Sequence, residues 1–199
     1  MLNKHILIEN IIFQKSKITF ILESPHKEEI CEGYPLAGQT GKELTKYLIE
    51  DSHIPFGKEV KEGSLMNKVS IINVSKYPLQ GSAYCCEKNK PSNIYLYEKL
   101  KILIDRGASY STKHIDREIN NLKEEIYTSF LNELKKLPNE SFIVPCGRFA
   151  RKFSNYAKLE DSLKNKNFVF INSNIPHPSR GKWSSISKEI IEKIKSKIL

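Results

Sequence analysis

Residues 18–24 read ITFILES, five apolar or β-branched side chains followed by a glutamate and a serine. Three further runs have the same form: VSIINVS from Val69, SFIVPCG from Ser141 and NFVFINS from Asn167. Each is close to continuously apolar rather than alternating. That pattern predicts strands buried on both faces, as in a parallel sheet between helices. Helical spacing fills the intervals. GKELTKYLIED places Leu44, Tyr47 and Leu48 on one face, and HIDREINNLKEEIYTSFLNELKKL carries Ile115, Ile119, Leu122, Ile126, Phe130 and Leu134 as one stripe. GRFARKFSNYA and SKEIIEKIKSKIL complete the set. The order predicts an α/β fold, a three-layer α/β/α sandwich around a four-stranded parallel sheet. The less regular stretch 81–112 reads as part of an elaboration around 81–136, between strands two and three of a single domain spanning 1–199.

In such sheets the ligand crevice lies beyond the carboxyl ends of the strands. The informative segments are therefore ESPHKEE, NVSKYPLQG, PCGRFAR and NIPHPSRGKW. Glu23, Ser24 and His26 combine a carboxylate, a hydroxyl and an imidazole suited to acid–base work. Asn73 sits inside an apolar strand, where its amide either bonds the backbone or reads a partner with one donor and one acceptor, such as a pyrimidine edge. His177 is bracketed by Pro176 and Pro178, which fix the backbone and aim the ring. Ser179, Arg180 and Lys182 behind it, with Arg148 and Arg151 after the third strand, are candidate phosphate contacts. Trp183 is placed to stack or to anchor. Gly33, Gly38 and Gly41 precede a helix start where backbone amides can approach a phosphate or a base.

The totals narrow the classes. The 199-residue chain is 39% hydrophobic and carries 32 Lys plus Arg against 23 Asp plus Glu, a net charge of +9. That surplus favours a polyanion as partner. Its cysteines, Cys31, Cys85, Cys86 and Cys146, form no C-x-x-C pair, so no zinc or iron–sulfur site is expected. A metal site drawn from His26, Glu28, Glu29 and His177 has no recognised spacing, and no cofactor is expected. A G-x-S-x-G elbow is missing, which disfavours a serine hydrolase. Neither a secretory leader nor a membrane span is read, giving the expectation of a cytoplasmic monomer with no membrane partner.

Taken together, the segments resemble the uracil-DNA glycosylase superfamily. LESPH resembles its first motif, a strand ending in a polar-Pro turn (G-Q-D-P-Y-H in one branch, G-E-A-P-G in another). GYPLAGQTGKEL is similar to the G-x-P-F-x-G-x-x-G-x-x-L stretch of the iron–sulfur branch, and IINVSKYPL to its T-N-x-V-K-x-x-P. PCGRFARKF looks like the glycine-ended strand and following helix, and HPSRGKW like the closing H-P-S-P motif. The resemblance implies a DNA partner and a monofunctional glycosylase. Such an enzyme flips out uracil or another modified pyrimidine and hydrolyses its N-glycosidic bond, in repair or in defence against modified phage DNA.

It further implies that Asn73 pairs with the base, that His177 stabilises the departing base oxygen, and that Glu23 and Ser24 lie near the sugar and the attacking water. Four departures stand out. Ser24 replaces the catalytic Asp of one branch, Leu36 replaces a stacking Phe, His26 replaces the residue shaping the methyl-excluding wall, and the iron–sulfur cysteines are missing. Lys76, near the second motif, leaves a lysine Schiff-base route open. Two other readings remain: a non-catalytic nucleic-acid-binding protein with this fold, and a hydrolase of free nucleosides or nucleotides.

Overall fold

The computed structural model describes residues 6–51, 53–85, 87–108, 113, 116–171, 173–179 and 181–198, without the side chain of Lys88. Strands β1 (Ile18–Leu22), β2 (Val69–Asn73), β3 (Phe142–Pro145) and β4 (Val169–Phe170) form one parallel sheet in the order β2-β1-β3-β4. Helices α1 (Lys27–Glu32), α2 (Gln39–Leu48) and α3 (Phe56–Glu62) lie between β1 and β2 in the chain. Helices α4 (Ile94–Asp105) and α5 (Arg117–Lys136) come between β2 and β3, α6 (Arg148–Ala157) between β3 and β4, and α7 (Lys188–Ile198) last.

Strand side chains alternate between two cores. Ile21, Ile72 and Ile143 pack with α4, α5 and α6 on one face. Phe20, Ile71 and Val144 pack with α2, α3 and α7 on the other. The predicted three-layer α/β/α sandwich is therefore the observed architecture. Each fully buried Ile or Phe contributes roughly 1.5–3 kcal/mol, so the two faces together drive the layering. The free edge of β2 is partly covered by the preceding segment: Ile11 and Ile71 exchange backbone hydrogen bonds of 2.9 and 2.7 Å in an antiparallel bridge.

Helices α1 and α3 were not read from the sequence, and three further elements differ from that reading. The fourth run was expected to be buried on both faces, yet only Val169 and Phe170 pair with β3, and Val169 is 52% exposed. It is the sheet's edge, so one side of its backbone has no neighbouring strand to bury it. The long helix begins at Arg117, because the Asp116 carboxylate accepts the N–H groups of Glu118 and Ile119 and caps it there; His114 and Ile115 lie outside the described residues. Within the stretch read as irregular, Leu96, Leu100 and Ile104 build the buried face of α4.

Candidate active site

All four strands point their carboxyl ends the same way, so the segments that follow converge on one cavity of about 870 Å³. Glu23 and Ser24 arrive from β1, Asn73 from β2, Gly147 from β3 and His177 from the stretch beyond β4, and all of them line it. Backbone bonds fix their order: Ser75 N–H donates to Glu23 C=O at 3.0 Å, and Gly147 N–H donates to Ile175 C=O at 2.9 Å. Gly147 has φ +92°, and a Cβ on it would stand 3.2 Å from His177 Cβ. Glycine there allows both the backbone turn and the approach of His177.

Asn73 is 1% exposed, yet neither Oδ1 nor Nδ2 of its side chain has a hydrogen-bond partner. Its own backbone N–H is satisfied by Asn10 Oδ1 at 2.8 Å. The amide therefore does not serve the backbone. A buried amide left unpaired costs about 1–3 kcal/mol, which a complementary ligand edge would recover.

His177 is partly buried. Its Nδ1 accepts the backbone N–H of Ser179 at 3.3 Å and lies 3.0 Å from Ser179 Oγ. This assigns the proton of the neutral ring to Nε2, leaving a donor on a ring that lines the cavity. Burial, together with nearby His26, Lys101 and Lys182, lowers its pKa to about 4, so the ring is uncharged at neutral pH. Trp183 holds this loop rather than offering a stacking face. It is 1% exposed and its Nε1–H donates to Pro176 C=O at 3.0 Å.

Glu23 has a partner that sequence reading missed. Lys101 of α4 lies 2.8 Å from Glu23 Oε1 and also contacts Asp105 at 2.9 Å. Burial alone would lower the Lys101 pKa, but Glu23 and Asp105 outweigh it and raise it, so the amine stays protonated. Cations from α6 hold the end of α4 in place: Lys152 donates to Ile104 C=O and Ala108 C=O at 2.6 and 2.7 Å, and Arg148 donates to Asp105 C=O.

Glu29 was also missed as a site residue in its own right. It is buried, lines the cavity, and its carboxylate accepts the N–H of His26 at 2.7 Å and the N–H of Leu36. Burial lifts its pKa to about 7 against the pull of those two N–H groups. Glu29 thus clamps the turn carrying Leu36, whose φ is +56° and whose side chain is buried at the cavity wall.

The remaining expected residues sort as follows. His26, Ser179, Lys182, Arg148 and Arg151 line the cavity. Arg180 lies outside the described residues. Gly33 caps α1 in the left-handed conformation and so serves the backbone turn, whereas Gly41 serves packing, because a Cβ there would fall 1.9 Å from Leu36 C=O. Gly38 does line the cavity. Lys76 is not among the lining residues and is bound to Glu9 and Glu133 at 2.7 and 3.1 Å. Burial would lower its pKa, but the two carboxylates outweigh it and raise it, which removes the free amine a Schiff base needs. Among the described residues no three His, Cys, Asp or Glu side chains gather to hold a metal ion, and no helix is long and apolar enough to cross a membrane.

No protein-family model matches the chain, and no curated protein matches it significantly.

Proposed function

We propose that this chain is a monofunctional DNA glycosylase of the uracil-DNA glycosylase type, acting on uracil or another modified pyrimidine turned out of the helix. The observation that carries this reading is the unpaired, buried Asn73 amide in a cavity shared with Glu23 and His177. An amide offers one acceptor and donors side by side, the complement of a pyrimidine edge.

Hydrolysis then runs in two movements. The bond between the sugar C1′ and the base nitrogen breaks, and its electron pair leaves with the base. The His177 Nε2–H donates to the base oxygen on which that charge gathers. Water adds through oxygen to the electron-poor C1′ and loses a proton, which ends on the departed base. In this reading Glu23, which lines the cavity, accepts that proton in passing and balances the cationic sugar.

Magnitudes rank the contributions. One preorganised donor to a developing oxyanion is worth roughly 2.7–4 kcal/mol. A carboxylate ~4 Å from the sugar cation gains on the order of 4 kcal/mol at an effective dielectric of about 20, but an ammonium ~6 Å away opposes it by about 3 kcal/mol. With Lys101 against Glu23, the larger share falls to His177 and the base-binding contacts.

That same pairing favours a second reading, a non-catalytic nucleic-acid-binding protein, because Glu23 has its charge balanced and Ser24 supplies none. The deciding experiment is incubation with duplexes and single strands carrying different modified bases, followed by alkaline cleavage at abasic sites. Strand scission dependent on both the base and His177 supports the enzyme. Binding without scission on every substrate supports the second reading.

A further inference from the structure

Helix α6 has two unlike faces. Phe149, Ala150, Phe153 and Ala157 are buried. Arg148, Arg151, Asn155 and Lys158 recur at i, i+3, i+7 and i+10 and form one polar stripe on the helix surface. Lys158, the C-cap, keeps right-handed helical dihedrals (φ −59°, ψ −24°), so the stripe continues through it. At ~1.5 Å per residue the stripe runs roughly 15 Å.

Its first half lines the large cavity through Arg148 and Arg151. Its second half enters a separate cavity of about 160 Å³, lined by Arg151, Asn155, Lys158, Ser173 and Asn174, with Pro145 and Ile171 behind. Arg151 and Asn174 line both cavities, so the two lie side by side.

The charge there is unspent. Lys76, Lys101 and Lys195 are each held by carboxylates, whereas among the described residues neither Arg151 nor Lys158 has an ion pair. The Lys158 amine rests 4.4 Å over the Phe170 ring, which fixes its position. Burial holds its pKa below the ordinary lysine value, a cost that a bound anion would relieve. The carboxyl end of a helix is negative by its dipole, so an anion is drawn to this end of α6 only by such local cations.

We propose that this face of α6 is a phosphate track, and that the small cavity seats a backbone phosphate of a nucleotide flanking the one in the large cavity. The proposal rests on the nucleic-acid reading above and adds to it where the strand leaves the site. Arg148 and Arg151 take phosphates at the mouth, and Asn155, Lys158 and Ser173 hold the next one outward.

The test measures binding of a DNA oligonucleotide by fluorescence anisotropy across salt, for wild type, Lys158→Gln, Lys158→Arg and Asn155→Ala/Lys158→Gln. Loss of one phosphate contact should flatten the log–log salt slope by about 0.9 on duplex or about 0.7 on single strands. Between roughly 50 and 200 mM salt the double variant should then lose about three- to four-fold less affinity than wild type on duplex. Lys158→Arg should keep the wild-type slope. Oligonucleotides with a single neutral methylphosphonate, moved one position at a time, should weaken wild type at one flanking position and leave the double variant unaffected there. Identical slopes and identical methylphosphonate profiles in wild type and double variant would overturn the track while leaving the glycosylase reading in place. If wild type binds no DNA in any form, both fall together.

Discussion

The Lys101 ammonium lies 2.8 Å from Glu23 Oε1 and 3.0 Å from Oε2, joining α4 to the end of β1. The two side chains are 19% and 16% exposed, so the pair is mostly shielded from water. Removing one partner strands the other charge. Lys101→Met should therefore lower stability by about 1–3 kcal/mol in urea denaturation, and the Glu23→Gln/Lys101→Met double variant should recover much of that loss. Additive losses would show that the two groups do not interact.

Asn73 gives an opposite sign for stability and for function. Asn73→Leu removes two buried polar atoms that have no partner, so the free protein should gain about 1–3 kcal/mol in urea denaturation while base excision is lost. Asn73→Asp should change discrimination between bases by about 1–3 kcal/mol in single-turnover assays. A destabilised Asn73→Leu would mean that the amide holds the fold instead.

His177→Ala should slow single-turnover excision by about 10²–10³-fold, and by more than Glu23→Gln, because Lys101 already opposes the glutamate's charge. The pH profile carries a further sign. A pKa lowered to about 4 keeps the His177 ring neutral well below the usual histidine range. The unfolded chain takes up the proton first, so the stability His177 contributes is full above about pH 6.5 and is lost as pH falls toward 4. The rate should show no histidine step between about pH 6 and 7; a step there that His177→Ala abolishes would contradict a neutral donor.

Glu29 titrates with the reverse sense. A carboxyl raised to about 7 contributes stability that is present below its unfolded value of 4.5 and lost as pH rises through 7. Glu29→Gln replaces one acceptor with an NH2 group facing a backbone N–H, so it should cost about 1–3 kcal/mol. It should also remove this part of the pH dependence, as followed by thermal melting from acid to neutral pH.

Gly147→Ala places a methyl where φ is +92° and where His177 Cβ is 3.2 Å away. The backbone strain alone should cost about 1–3 kcal/mol. The displaced ring should slow excision at saturating enzyme while DNA affinity, governed by phosphates, changes little. Equal losses in affinity and rate would point to general unfolding.

The sequence by itself determined strands β1 to β3, helices α2, α5, α6 and α7, and the convergence of Glu23, Asn73 and His177. Those features are local. A strand buried on both faces must be apolar throughout, as ITFIL and VSIIN are, and parallel strands necessarily bring the residues after their carboxyl ends to one edge. Leu96, Leu100 and Ile104 held the signal for α4 as well, at helical spacing. Tertiary structure alone decided the rest. Lys101 meets Glu23 across 78 residues only because α4 packs on the sheet and Lys152 and Arg148 hold its end. Glu29 is buried only because the Leu36 turn folds over it, and the Asn73 amide is left unpaired only because no neighbour reaches it. The fourth run shrank to two exposed or half-buried residues because it fell at the sheet's edge. Spacing along a chain records which face a side chain takes, whereas the partner waiting on that face is set by segments distant in sequence.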